Sequence, residues 1–310
     1  MPWNFLPPGR FPGGRESWFD YPDRMAQVLT VMNMKGGVGK TVVAAHLAGM
    51  LTRYHFANRT RKVLLIDYDP QFNTSQALLP SKTYFDLEKA GRTSRAIIQD
   101  PEDKVDPFVI QTPGNSKPPS PKTIAHRVYT DTKTNAYLDL VPSTLDLMYV
   151  AVGQPAKRTE VFEERFHKFI ALCRKQYDVV IIDCHPAGSI LTKTSLQESD
   201  HVLVPVSESA FAARGIALMV KFVAAVATGK GGPTVHVLLN NLRRQDSAFE
   251  TTIRSKHGNT CLTHPLRHFK AFADPSEGKG FVWVSHRPHS TRAFSNLQDV
   301  VGEVVTRLNL

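Results

Sequence analysis

The sequence predicts an α/β fold: a mostly parallel central sheet flanked by helices on both faces. Two observations carry this reading. Short runs of continuous apolar character, such as Lys62–Asp67 (KVLLID) and Val179–Asp183 (VVIID), read as strands buried on both sides. These runs alternate with helical stretches, which is what crossovers between parallel strands require.

Taken in order, residues 1–25 form an arm in which Trp3, Phe5, Phe11, Trp18, Phe19 and Tyr21 sit among Pro, Gly and Arg. Folding back on the chain's own domain is favoured over a partner site. The arm lacks the apolar stretch of a secretory signal. Gln27–Asn33 (QVLTVMN) is the first strand and runs into a Gly-rich turn. Thr41–Thr52 follows as a mostly apolar helix, and Lys62–Asp67 as the second strand. The amphipathic helix Thr159–Gln176 precedes the third strand, Val179–Asp183. His201–Val206 (HVLVPV) and Thr234–Asn240 (TVHVLLN) are the fourth and fifth, and Phe281–Ser285 is a candidate edge strand. Pro101–Asn135 carries six prolines and little periodicity, so it reads as a surface insertion that could hold one short hairpin. The predicted organisation is therefore the arm, 1–25, and one domain, 26–310, with an insertion at about 101–135.

Composition narrows the function. Of 310 residues 42% are apolar, yet there is no run of about 18 apolar residues of the kind that spans a membrane. The three cysteines, Cys173, Cys184 and Cys261, form no CxxC pair, which argues against a zinc site, an iron–sulfur cluster or a disulfide framework and suits a reducing cytoplasm. A formal charge of +10 favours an anionic partner. The stretch from 201 to 310 holds 13 Lys/Arg against 7 Asp/Glu, concentrating that charge towards the end of the chain.

The strongest chemical signal is Met34-Lys35-Gly36-Gly37-Val38-Gly39-Lys40-Thr41, set between a predicted strand and a predicted helix. Glycines let the backbone curl so that successive N–H groups point at phosphate oxygens. The helix opening at Thr41 adds the positive end of its dipole. Lys40 is expected to reach the β- and γ-phosphates of a nucleotide, and the Thr41 hydroxyl to ligate Mg²⁺. Lys35 is a second ammonium in the loop, more than one triphosphate needs. Asp183 ends an apolar strand, where a carboxylate can hold Mg²⁺ through water. Asp67 and Asp69 flank Tyr68, so alternation puts both on one face.

KGGVGKT resembles the deviant Walker A motif of the ParA/MinD family of P-loop NTPases. LLIDYDPQFNTSQAL (64–78), YDVVIIDCHPAGSILT (177–192), VLVPVSESAFAARGI (202–216) and ADPSEGKGFVWVSHRPHSTRAFSNL (273–297) are similar to its later motifs, in the family's order. The resemblance fails over the arm and the insertion. It implies an ATP- and Mg²⁺-dependent ATPase that forms a homodimer in the ATP state, with Lys35 crossing to the partner's nucleotide. It further implies that Asp69 orients the attacking water while Asp67 assists Mg²⁺ hydration, although spacing alone leaves those roles interchangeable. Asn240 stands where relatives place an adenine-contacting Asn, with Asn241 as rival. Phe72 stands where many relatives have Gly and His185 where many have Pro.

In ParA-like proteins, basic residues of the C-terminal region bind DNA without sequence preference. Arg243, Arg244, Arg267, Lys270 and Arg292 are the candidates for that role here. The last helix, Thr291–Leu308, places Phe294, Leu297, Val301, Val304, Val305 and Leu308 on one stripe and has only Arg292 and Arg307 as basic residues. Docking on the core is therefore expected, rather than membrane anchoring. The expected function is partition of plasmid or chromosome DNA by a cytoplasmic, nucleoid-associated switch with a stimulating partner protein. The alternative is a positioning ATPase for a secretion, cellulose, pilus or microcompartment machine.

Overall fold

A computed structural model describes residues 25–100, 117–151, 159–186, 188–226, 231–245 and 247–310. The aromatic arm, apart from Met25, lies outside the described residues, as do residues 101–116 of the insertion. In chain order the elements are β1 (Gln27–Val31), α1 (Lys40–Arg53), β2 (Val63–Tyr68), α2 (Asn73–Leu78), α3 (Ser81–Lys89), α4 (Arg95–Ile98), α5 (Pro121–Ile124), β3 (His126–Thr130), β4 (Tyr137–Val141), α6 (Leu147–Ala151) and α7 (Glu160–Arg174). They continue with β5 (Val179–Cys184), α8 (Ile190–Glu198), β6 (His201–Val206), α9 (Ala212–Val226), β7 (Thr234–Leu242), α10 (Ala248–His257), β8 (Leu266–Arg267) and α11 (Ser290–Arg307).

The strands join one sheet in the order β3-β4-β2-β5-β1-β6-β7-β8, parallel except for β3, which pairs antiparallel with β4. The predicted mostly parallel α/β sheet is therefore what forms. Alternation sorts the strand side chains between two cores. Val28, Leu64, Ile66, Val180 and Ile182 pack with Phe162, Phe166 and Phe169 of α7 on one face. Leu29, Val31, Val63, Leu65 and Ile181 pack with Leu47 and Leu51 of α1 and Val301 and Val304 of α11 on the other. The stripe on α11 thus docks on the core, as expected from its sequence. Among the described residues, no helix is long and apolar enough to cross a membrane.

Two segments differ from the sequence reading. A hairpin does form, but the insertion supplies only its first arm, β3; the second arm, β4, lies beyond residue 135 and joins the sheet beside β2. The sequence of β4, YLDLV, hides this because Asp139 breaks the apolar run. That carboxylate is buried, accepts from Tyr177 Oη at 2.9 Å and pairs with Arg127. Phe281–Ser285 is not an edge strand: Val282–Val284 winds into a 3₁₀ turn. The reason lies in α1. His46, wholly buried there, donates from Nδ1 to Val42 O (2.9 Å) and accepts the Val282 N–H at Nε2 (3.3 Å). Its ring sits edge-on to Phe272, Phe281 and Trp283, so the segment is drawn over α1.

β1 is central, and the chain leaves it towards β2 on one side before returning to β6 and β7 on the other. Such a reversal opens a crevice at the carboxyl ends of the strands, where α/β sheets bind ligands. The loop from 32 to 39 lies at that point.

Candidate nucleotide site

The loop after β1 curls through two left-handed glycines, Gly37 (φ 72°) and Gly39 (φ 85°). Gly39 caps α1, and a Cβ there would stand 2.5 Å from Asn240 Nδ2. Only glycine fits both the dihedral and the space. Lys40 opens α1 and is 9% exposed, whereas Lys35 and Met34 are exposed on the outer side of the loop. The Lys35 N–H donates to Asn33 Oδ1 at 2.9 Å. The structure thus separates the two lysines: one is packed at the head of the helix and the other faces outward.

Three carboxylates gather at the ends of β2 and β5. Asp67 and Asp183 are register partners on neighbouring strands, and both are buried. Asp183 Oδ2 accepts from Thr41 Oγ1 (2.9 Å) and Thr74 Oγ1 (2.6 Å). Asp67 Oδ2 accepts from the N–H (2.8 Å) and hydroxyl (2.6 Å) of Ser75. Burial pushes Asp183 up to about 6, against the hydrogen bonds from Thr74 and Thr41. Burial and the neighbouring Asp183 charge push Asp67 up as well. Asp69 differs. Burial raises it too, but the His185 hydrogen bond, the Gln71 N–H and the nearby His185 and Lys40 charges outweigh burial, and its carboxyl lies below the ordinary value. The contact is direct: His185 Nδ1 stands 3.1 Å from Asp69 Oδ1.

The Thr41 hydroxyl and the Asp183 carboxylate side by side suit Mg²⁺, which takes one or two protein oxygens and completes its shell with phosphate and water. Among the described residues, no group of three or more His, Cys, Asp or Glu side chains is arranged to hold a metal unaided. The donor set thus fits a cation that arrives with a phosphate.

Beyond the loop a cleft of about 480 Å³ is lined by Gly37, Gly39, Asn240, His268, Lys270 and Arg287, among others. Asn240 is buried and its Nδ2 donates to Val38 O at 2.7 Å, so the amide braces the loop. Asn241 is exposed, and His268 Nδ1 lies 2.6 Å from its Oδ1. Of the basic candidates, Arg243, Arg244, Lys270 and Arg292 are exposed. Arg267 pairs with Glu250 (3.2 Å) and donates to Arg244 O (2.8 Å). Together with Lys270 it lines the cleft. Sequence reasoning missed Thr74 and Ser75, which hold the carboxylates; the hydroxyl pair just after the Asp-Pro-Gln run was the available signal.

Residues 26–231 match a family described as AAA domain. The chain belongs to that family and is a ParA/MinD-type P-loop ATPase. The ParA-like chain is 27% identical to the chromosome partitioning protein ParA of Caulobacter vibrioides, over 91% of itself and 94% of that protein. It is 29% identical to the sporulation initiation inhibitor protein Soj of Bacillus subtilis over 64% of the chain, which spans 65% of that protein. Its fold matches a plasmid partition protein from Borrelia burgdorferi bound to AMPPNP, with a TM-score of 0.62 at 19% identity, covering 91% of this chain and 99% of that one. It also matches cobyrinic acid a,c-diamide synthase from Mycobacterium smegmatis, with bound ATP analog and magnesium, at a TM-score of 0.56 and 22% identity, covering 78% and 84% of the two chains.

Proposed function

We propose that this chain is a partition-type ATPase in which ATP and Mg²⁺ bring two copies together and so create a DNA-binding form. One observation carries the reading: the loop lysine, the Thr41–Asp183 pair and the ionised Asp69 converge at the carboxyl ends of β1, β5 and β2.

In this reading the backbone N–H groups from Gly36 to Thr41 and the Lys40 ammonium hold the phosphates. When bound, Mg²⁺ supplies positive charge against the β- and γ-phosphate oxygens. Thr41, Asp183 and Asp67 are the residues that would hold it. Asp69 accepts a hydrogen bond from the attacking water. The water oxygen bonds to the γ-phosphorus as the bond to the bridging oxygen breaks, giving ADP and a phosphate that carries both protons of the water. Asn240 steadies the loop from the base side.

The exposed Lys35 is free to reach a triphosphate held by a second copy. Phe211, 78% exposed, lies in the same hollow as Lys35 and offers apolar area for that contact. Arg243, Arg244, Lys270 and Arg292 supply exposed positive charge for DNA phosphates, with the salt-dependent, sequence-independent binding that such contacts give. Association with the nucleoid and stimulation by a partner protein follow from the same reading.

The test compares gel filtration and DNA binding with ADP, ATP and a non-hydrolysable analogue. The reading expects a dimer that retards DNA only with the triphosphates. A chain that stays monomeric and indifferent to DNA in every nucleotide state would overturn it.

A further inference from the structure

We infer that His185 is a positioning residue for hydrolysis: it donates from Nδ1 to Asp69 Oδ1 and fixes the carboxylate that orients the attacking water. The inference rests on the proposed water-orienting role of Asp69.

The geometry is specific. His185 follows β5 directly, two residues past Asp183, and its side chain reaches across to the loop after β2. Both side chains are largely sheltered, with 22% and 11% of their areas exposed. A carboxylate can only accept, so Nδ1 carries the proton in this bond. The same oxygen, Oδ1, accepts the Gln71 N–H at 3.0 Å. Two donors from different segments therefore converge on one oxygen. Without His185, the Gln71 N–H from its own loop would be the donor left to orient the Asp69 carboxylate. That loop contains Phe72 in the left-handed region (φ 44°). A loop held that way needs a second anchor to keep a carboxylate within the fraction of an ångström that catalysis demands.

The segment holding His185 is itself tied down. The residue is continuous with a fully buried strand, and Thr192 Oγ1 of α8 stands 3.4 Å from its carbonyl oxygen. A side chain that serves hydrolysis by steadying Asp69 acts through orientation, so its removal is expected to lower turnover and leave nucleotide affinity unchanged.

The experiment is steady-state ATPase kinetics on the full chain with MgATP, for His185→Ala, His185→Asn, Asp69→Ala and the His185→Ala/Asp69→Ala pair. Asn carries Nδ2 on Cγ, in the place of Nδ1, and so keeps the donor. His185→Ala is expected to lower kcat by roughly tenfold with KM nearly unchanged, the scale on which residues that orient a functional ligand act. His185→Asn is expected to recover most of that loss. In the Asp69→Ala background, His185→Ala is expected to add nothing. An unchanged kcat in His185→Ala would overturn the inference. So would an Asn variant as poor as Ala, or a second equal loss on top of Asp69→Ala. An Asp69→Ala chain with full turnover would instead remove the water-orienting reading itself, so the two failures are told apart.

Discussion

Acid should weaken this fold through a histidine that touches neither nucleotide nor solvent. His46 is locked neutral: Nδ1–H donates to Val42 O, Nε2 accepts the Val282 N–H, and burial pushes its pKa down to about 4. The unfolded chain, with an ordinary value of 6.5, takes the proton first as pH falls. The stability contribution is therefore complete above about pH 6.5 and is lost on the way down to about 4. At about 1.4 kcal/mol per unit, the full loss is roughly 3 kcal/mol, and about 1.4 kcal/mol is already gone at pH 5.5. His236, also near 4, acts with the same sign, whereas Asp67 and Asp183, raised by burial, act with the opposite sign. The total curve is thus a composite, and the comparison with His46→Asn isolates the one group. Asn keeps a donor towards Val42 but cannot titrate. Urea unfolding at fixed ionic strength between about pH 7.5 and 5 should show the wild type losing ground on the variant by about 2 kcal/mol. A gap between the two that stays constant over this range would refute the argument.

Lys40→Ala should abolish ATP binding in an equilibrium assay, since the buried ammonium at the head of α1 has no substitute. Asp183→Asn should keep the fold but lower Mg²⁺-dependent affinity by about tenfold, measured by titrating Mg²⁺ at fixed ATP. At position 72 the usual order of Ala and Gly should invert: with φ at 44°, Phe72→Gly should be more stable than Phe72→Ala by about 1 kcal/mol in urea unfolding. Phe72→Ala should itself fall below the wild type because it loses the stack on Tyr84, whose ring centre is 5.3 Å away. Replacing Arg243 and Arg244 by Ala should flatten the salt dependence of DNA binding in the ATP state by up to about four units of slope, two arginines from each of two copies. Replacing Arg267 should disturb the Glu250 contact and destabilise the chain instead.

The parts of the fold that were legible in sequence share one property: local pattern and tertiary role agree. β1, β2, β5, β6 and β7 are mostly apolar on both faces, and Gly37 and Gly39 sit where a left-handed backbone favours glycine. The rest depended on partners distant in sequence. Asp139 looks like a break in a strand until Tyr177 and Arg127 are seen to satisfy it. Val282–Val284 has strand-like residues but is recruited by a histidine 236 positions earlier. Asn240 was marked for a base by resemblance, and only the folded chain reveals its bond to Val38 O. The pairing of His185 with Asp69 joins two loops that the strand order brings side by side.

The two rims of the sheet bear on how copies of this chain can meet. At one rim β8 has only two paired residues; at the other, the register of β3 against β4 shifts between Arg127 and Tyr129. Among the described residues, neither rim offers a long, flat row of open peptide groups, which disfavours strand-to-strand growth into a filament at both ends. The pairing proposed above, at the surface where the strands point their carboxyl ends, therefore meets little competition from edge-to-edge contacts, and assembly by that route would stay finite and answer to the occupant of the crevice.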